Sequence, residues 1–448
     1  MIQKVVGLVI AIAVFAGGGA ATYQLTRPAS VTIEEQGVAL EPGAVRAIHA
    51  YASGGLPFRD ALSWGVVPSW LGTINERGEF RAGALTGSGT LSARFGSASA
   101  KITVTVTCPR EAQLQGVRFE VACGRLADVY VDVIAYGGAK VAAAAVDRSA
   151  ERVSRDLQIP SDRRFRVYYF GSAQRFAIGV GELGGGFTSG PTGFEGEAVY
   201  FDTADAIAID QSADPLMQTE GALQHELVHR FVRQVVGYAN IAEIPTWLNE
   251  GWAFLEESSQ TGRLRTEARL VSASMAHVDK LPSLRSLISQ RDWNARRGVE
   301  GLYQYYAAAQ ATQFLIDDIK LVGVLRILKN VRDGDSFAEA FAKSAPGANY
   351  DDFMDRFPDR VAALELTLPG MVAVSGTPYG PGMTVIAYGL SPNTSATLRA
   401  IGPIKRELSD NVDAYGVFVE YIGAEFPAGE YVVSLETPET RLSVTARR

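Results

Sequence analysis

HELVHRFVRQVVGYANIAEIPTWLNEGWAFLEES, residues 225–258, is the stretch on which the reading of this chain turns. Its first five residues hold two of the four histidines in the protein. Positions four apart on a helix lie one turn apart on the same face, so His225 and His229 stand side by side with the Glu226 carboxylate next to them. This HExxH spacing is how a helix offers two imidazoles to one Zn2+ ion and a carboxylate to the water beside it. The helix is predicted to begin near Thr219 and to stop before Gly237. Leu223, Leu227, Phe231 and Val235 recur at helical spacing as its core-facing stripe, and the histidines fall to one side of them, on a cleft floor.

Two histidines need a third ligand. A second helix is predicted over IPTWLNEGWAFLEES, 244–258, with Pro245 near its first turn. It carries Glu250, 21 positions after His229. Gly251 inside a helix costs about 1 kcal/mol relative to alanine, and a close helix–helix approach near the metal accounts for it. HELVH followed by WLNEGWA resembles the gluzincins, zinc peptidases whose third ligand is a glutamate on the next helix. The WLNEGWA string is most similar to the aminopeptidase-N group and to peptidase-MA-like bacterial proteins. The resemblance implies His225, His229 and Glu250 as the zinc ligands and Glu226 as the catalytic base. The sequence departs from the aminopeptidase-N pattern in two ways. The gap between the second histidine and the glutamate is slightly longer, and no GxMEN-type motif for a substrate amine precedes HELVH. Exopeptidase specificity is therefore not implied.

Other residues are placed around this core. LYQYYAAAQATQFLIDDI, 302–319, reads as a helix, and relatives of this type use a tyrosine on a later helix to stabilise the oxyanion. Tyr305 and Tyr306 are both candidates, with Tyr305 favoured by the resemblance. Asn249 and Glu257 are candidates for holding a ligand from behind; Glu257, seven positions after Glu250, is equally compatible with a solvated or capping role. Glu195 and Glu197 lie upstream where they could approach the cleft, Glu243 and His277 are weaker alternative ligands, and His49 reads as an ordinary surface or half-buried histidine. Ser336 and Glu339 are spaced as a capping box.

The chain has 448 residues, enough for several domains, and a net charge of −7 without a basic stripe, which makes nucleic acid an unexpected partner. Lys4 precedes an apolar run from Val5 to Ala16, followed by small residues. Residues 1–28 therefore read as a signal peptide or as an uncleaved signal anchor. Either places the rest outside the cytoplasm, secreted or tethered to the membrane. Cys108 and Cys123, the only cysteines, are read as one disulfide worth about 3 kcal/mol in the chain-entropy model. Two buried free thiols are the alternative.

Residues 29–107 alternate apolar and polar positions between Gly, Pro and Ser clusters, as a small antiparallel β-sandwich does. WGVVPSWLGTINERGEFRAGALTGSGTLSARFGSASAKITVTV resembles the bacterial Ig-like repeat of cell-surface proteins. Residues 108–368 carry mixed strands and helices, with VYVDVIAY, RFRVYYFG and EAVYFDT as strands. The last of these, after a glycine-rich stretch, is an edge strand able to pair with an extended peptide. Residues 369–448 return to short alternating strands, a second β-sandwich with a weaker Ig-like resemblance.

The expected fold is thus multidomain: an α+β zincin-like catalytic domain, with a small mixed sheet lobe and a helical lobe, flanked by two antiparallel Ig-like β-sandwiches. The expected function is that of an extracytoplasmic zinc-dependent peptidase acting on a peptide or protein substrate. The cell surface is a further possible partner through the Ig-like domains, and the membrane through an uncleaved N-terminal segment. Two rivals stand beside it: a non-catalytic surface scaffold that keeps a zinc-bearing fold, and a hydrolase of esters or epoxides on the same site.

Overall fold

The computed structural model describes residues 30–53, 62–135, 137–183, 198–201, 205–212, 219–257, 262–296, 298–345, 347, 349–377, 380–423 and 426–447. The expected signal or anchor at 1–28 lies outside them, as do Glu195 and Glu197. Among the described residues, no helix is long and apolar enough to cross a membrane. The chain forms two compact units. One is Met1–Ala112 with Val121–Cys123; the other is Gln113–Glu120 with Gly124–Arg448.

The described part of the first unit is built of β-strands and one short 3-10 turn, Ser69–Leu71. A four-stranded sheet runs in the order Gly37–Leu40, Ala98–Val106, Gly87–Phe95, Ser63–Val67, and a three-stranded one in the order Val45–Ala47, Glu79–Ala82, Gly72–Ile74. Val38, Leu91 and Val104 from the first sheet and Phe80 from the second are buried in one core, against which Trp64 and Trp70 pack. The expectation of a purely antiparallel arrangement is corrected at one edge, where Gly37–Leu40 pairs parallel with Thr103–Val106. Alternation along a four-residue strand says which face is buried, not which way the strand runs. Cys108 and Cys123 form the disulfide, with their Cα atoms 5.9 Å apart. His49 is exposed and bonds Glu35 Oε1 through Nδ1 at 3.1 Å.

A six-stranded sheet follows, its last four strands all within the second unit. Its order is Glu111–Leu114, Val117–Cys123, Ala127–Asp132, Phe165–Phe170, Ala206–Asp210, Ala198–Phe201. The three central strands are parallel, and Ala198–Phe201 closes the edge antiparallel to Ala206–Asp210. Ala127–Asp132 and Ala206–Asp210 are buried along their whole length, as parallel strands covered on both faces must be. Helix α1, Ala139–Leu157, joins two of them and buries Ala143, Val146, Ala150, Val153 and Leu157 as one stripe. Helix α2 is Ala173–Glu182, N-capped by Ser172.

The next helices carry the site: α3, Thr219–Val236; α4, Thr246–Glu256; α5, Arg263–His277; α6, Gln290–Ala295; and α7, Gly298–Arg332. Helix α3 stops where Gly237 takes a φ of 83°, a left-handed value that glycine adopts without a Cβ clash. Its buried stripe starts as expected at Leu223, Leu227 and Phe231 but continues through Val232 and Val236, leaving Val235 half-buried. Four residues turn the helix by about 400°, so a strict i+4 series drifts by about 40° per step and leaves the core face. Helix α7 breaks at Lys320 (φ 60°, ψ 165°), where the expected helix 302–319 ends. Helices α8, Phe337–Ser344, α9, Tyr350–Asp355, and α10, Phe357–Ala362, complete the lobe, and Ser336 and Glu339 make the capping box.

Strands resume at Gly370 and build a three-stranded and a four-stranded antiparallel sheet around one core that includes Val385, Leu398, Tyr431 and Val433. These strands belong to the same compact unit as the helices. Ser274 Oγ on α5 lies 2.8 and 2.9 Å from the Tyr415 and Gly416 carbonyl oxygens and accepts the Gly389 N–H at 2.9 Å. Tyr303 on α7 stacks on Tyr415, with centroids 3.9 Å apart, and donates its hydroxyl to Asp413.

Candidate metal centre

Helix α3 presents His225 and His229 on adjacent turns, with ring centroids 4.7 Å apart. Helix α4 brings Glu250 between them. Its Oε2 lies 3.3 Å from His225 Nε2 and 3.6 Å from His229 Nε2. One ligand atom from each of the three falls within 4.8 Å of the others, the one such group found among the described residues. Ligand atoms about 2.1 Å from a tetrahedral ion stand about 3.4 Å from each other, so two nitrogens and one carboxylate oxygen at these separations fit zinc.

Why α4 lies so close is written in Gly251. A Cβ there would come within 2.4 Å of the Ala308 carbonyl oxygen and 2.6 Å of Thr312 Oγ1, both on α7. Only glycine lets the two backbones meet at this distance, which offsets its cost in a helix. Pro245 caps α4, its carbonyl accepting the Leu248 and Asn249 N–H groups at 3.0 and 3.2 Å.

Behind the first histidine stands Glu257, whose Oε1 lies 2.6 Å from His225 Nδ1. A carboxylate accepts, so Nδ1 carries the proton and Nε2 keeps its lone pair for a ligand. Asn249 and the second histidine show no such bond. The Asn249 Oδ1 and the Nδ1 of His229 are both buried without a hydrogen-bond partner among the described residues. Glu226 is buried and takes a backbone hydrogen bond from Tyr200 in the edge strand Ala198–Phe201.

Electrostatics follow from this crowding. Burial opposes charge on His225, but its bonds to Glu250 and Glu257 outweigh that and raise its pKa well above the ordinary histidine value. His229 is also raised: burial works against it, and the Glu250 charge prevails. Burial likewise opposes ionisation of Glu250, yet the two imidazoles hold its pKa far below the usual carboxylate range. Glu226 moves the other way. Burial raises it, and the histidine charges only partly compensate.

The two candidate tyrosines part company. Tyr305 is buried with its ring 6.2 Å from that of His225, between Phe254 and Trp293. Burial pushes its pKa well up, and the Glu250 charge adds to this, so the phenol stays protonated. Tyr306, the next residue, donates instead to Glu267 Oε2 at 3.2 Å. Glu267 in turn takes Arg263 Nη1 at 2.5 Å within α5. Glu243 is exposed at the end of the 3-10 turn Tyr238–Glu243, and His277 is exposed at the end of α5. Trp293 and Glu267 escape a reading of the sequence, because neither lies in a motif.

No family model matches the chain, and no curated protein matches it. Solved structures to which the chain shows some similarity include M1 zinc metallopeptidases and an aminopeptidase N family protein. An M1 zinc metallopeptidase from Deinococcus radiodurans bound to a Tyr-Ser-Ala substrate is similar at 14% identity and a TM-score of 0.34, covering 69% of this chain and 63% of its own. Another structure of the M1 enzyme from that organism gives 14% identity, 66% and 61% coverage, and a TM-score of 0.34. The aminopeptidase N family protein, from Idiomarina loihiensis, is 12% identical, with 81% and 75% coverage and a TM-score of 0.34. This chain therefore spans less than two thirds of the length of the M1 structures. At that level of overlap a functional reading stands on the geometry of the site itself.

Proposed function

We propose that this chain is a zinc-dependent peptidase of gluzincin type. The observation that carries the reading is the convergence of His225 Nε2, His229 Nε2 and a Glu250 oxygen on one point, with Glu226 beside them. His225, His229 and Glu250 would hold the ion. When bound, zinc supplies Lewis acidity that polarises a carbonyl and brings the pKa of water towards neutrality. Glu226, its proton affinity raised by burial, takes the proton of the attacking water and delivers it to the leaving amine as the C–N bond breaks. Tyr305 keeps its hydroxyl hydrogen and donates it to the oxygen that becomes negative. Glu257 fixes the tautomer of His225. Asn249 is the proposed support for His229: its Oδ1 is an acceptor and the His229 Nδ1 a donor, both buried and neither bonded among the described residues.

A peptide substrate fits the edge strand Ala198–Phe201, which can add an extended backbone to the sheet next to Glu226. We place the protein outside the cytoplasm, secreted or tethered by residues 1–28. The Lys4 and Val5–Ala16 pattern and the Cys108–Cys123 disulfide support this. The flanking β modules at 29–107 and 369–448 are proposed as Ig-like, with the catalytic domain between them at 108–368.

The test is to load the full chain with zinc, digest a mixed peptide library and locate the products by mass. Cleavage that vanishes in Glu226→Ala supports the reading. A zinc-loaded wild type that cleaves no peptide defeats it in favour of a scaffold or, if esters or epoxides turn over, another hydrolase.

A further inference from the structure

Glu226, Arg230 and Arg233 recur at helical spacing on α3 and share one face, beside the face that carries His225 and His229. The edge strand Ala198–Phe201 packs on this helix. Its Tyr200 reaches the same face, where the Arg233 guanidinium stands over the phenol ring, 6.0 Å from its centroid. Asp205 fastens the strand to the helix. It directly precedes the strand Ala206–Asp210, is buried, and takes a φ of 43°. That left-handed value is uncommon for a residue with a Cβ, and aspartate and asparagine are among the few that tolerate it. Its Oδ1 accepts Arg230 Nε at 3.0 Å and the Tyr200 hydroxyl at 3.3 Å, and its Oδ2 accepts Arg163 Nε at 2.7 Å. Arg230 is only 2% exposed; it also donates to the Arg163 carbonyl at 2.9 Å and lies over the Phe165 ring. One buried carboxylate oxygen thus ties the edge strand to the metal-binding helix through Arg230, one turn from Glu226.

We propose that Asp205 is a positioning residue for substrate: by holding Tyr200 and Arg230 on one oxygen, it keeps the edge strand docked on α3, so that a peptide paired with that strand is delivered to Glu226. The substrate class that follows is an extended peptide of several residues, held by its backbone rather than by its side chains. Main-chain pairing along a strand supplies binding, not chemistry. Loosening the strand therefore weakens the hold on substrate and leaves the chemical step in place. The inference rests on the proposed pairing of peptide with Ala198–Phe201 and adds the residue that fixes this strand.

Two variants and two readouts on the zinc-loaded full chain decide it. Asp205→Asn keeps a residue that tolerates the left-handed turn and removes the charge. Tyr200→Phe keeps the ion pairs and the ring under Arg233 and removes only the strand's own bond to Asp205, so it carries the test where Asp205→Asn fails to fold. The first readout needs no turnover. Hydrogen exchange followed by mass should speed up at residues 198–201 by about tenfold in Asp205→Asn and about threefold in Tyr200→Phe. Unchanged exchange there overturns the proposal. The second readout is kinetic. KM for a long peptide that spans the strand should rise about tenfold in Asp205→Asn and about threefold in Tyr200→Phe, with kcat kept, as loss of hydrogen bonds to a binding element does. For a blocked dipeptide, too short to run along the strand, KM should not move. An equal rise for both substrates, or a fall in kcat alone, overturns the proposal. A wild type that cleaves neither peptide defeats the peptidase reading instead, and the exchange still decides whether Asp205 holds the strand.

Discussion

Helix α7 presents adjacent tyrosines to two buried charge clusters. Around Tyr305 lie two imidazoles and three carboxylates, those of Glu226, Glu250 and Glu257, with one ligand atom each from His225, His229 and Glu250 crowded within 4.8 Å. Around Tyr306 lie Arg263 and Glu267, one cation and one anion, bonded to each other at 2.5 Å and closed by the tyrosine hydroxyl. Both clusters are buried, and both hold groups with shifted pKa values. Burial and shifted titration alone therefore do not separate a reactive site from a structural one. Charge balance does. The second cluster is complete as it stands, whereas the first holds more carboxylates than cations and points its lone pairs at a common centre, which a divalent cation satisfies.

The widest separation between the clusters is expected at Glu226. Glu226→Gln should keep zinc and lower hydrolysis by about 10²–10⁴-fold. Equal cleavage by the variant, followed by product mass, would remove Glu226 from the chemistry. Next come the supporting carboxylates. Glu267→Gln removes the carboxylate paired with a buried guanidinium and should cost about 3–5 kcal/mol in denaturant unfolding, with zinc affinity unchanged. Glu257→Gln should do the reverse, weakening zinc binding about 10–100-fold in competitive titration at little cost in stability. If the two variants behave alike, the distinction between the clusters is lost.

The tyrosines sharpen the contrast further. Tyr305→Phe should lower kcat by about 10²–10³-fold, as loss of an oxyanion donor does. Tyr306→Phe should leave kcat in place and cost about 1 kcal/mol of stability for a lost buried hydrogen bond. The reverse pattern would move the oxyanion role to Tyr306. The smallest effect is pH-dependent. In the metal-free protein, His225 and His229 have raised folded pKa values. Their contribution to stability is full below the unfolded value of about 6.5 and is lost as pH rises through the folded values. Zinc binding displaces those protons, so its stabilisation grows with pH over the same window. The gap in thermal midpoint between zinc-loaded and metal-free protein should widen as pH rises; a constant gap would contradict the assignment of these histidines.

The approach of His225, His229 and Glu250 to one another was legible in the sequence because local rules place its parts. HELVH sets two imidazoles one turn apart, Gly237 ends α3, and Gly251 in WLNEGWA marks the close approach to α7. Glu257 follows from helical spacing after Glu250, and the capping box at Ser336 and Glu339 was readable in the same way. The second cluster was not legible. Arg263 and Glu267 are charged residues on the buried face of α5, and they break the apolar periodicity that would announce the helix. Their i,i+4 pairing satisfies them within the core, which no hydrophobic pattern reports. Trp293 was hidden for another reason. Its helix is six residues long, too short for a period, and its meaning lies in a contact with Tyr305 twelve positions later. The tie between Ser274 and the turn at Tyr415 and Gly416 spans more than a hundred positions and leaves no local trace.

The central claim is that His225, His229 and Glu250 hold zinc. Anomalous scattering at the zinc edge from crystals of the zinc-loaded protein tests it most directly. One ion should lie about 2.0–2.2 Å from both His Nε2 atoms and a Glu250 oxygen, with Glu257 still bonded to His225 Nδ1. Zinc bound at other residues, or an empty HELVH site at saturating zinc, would contradict it.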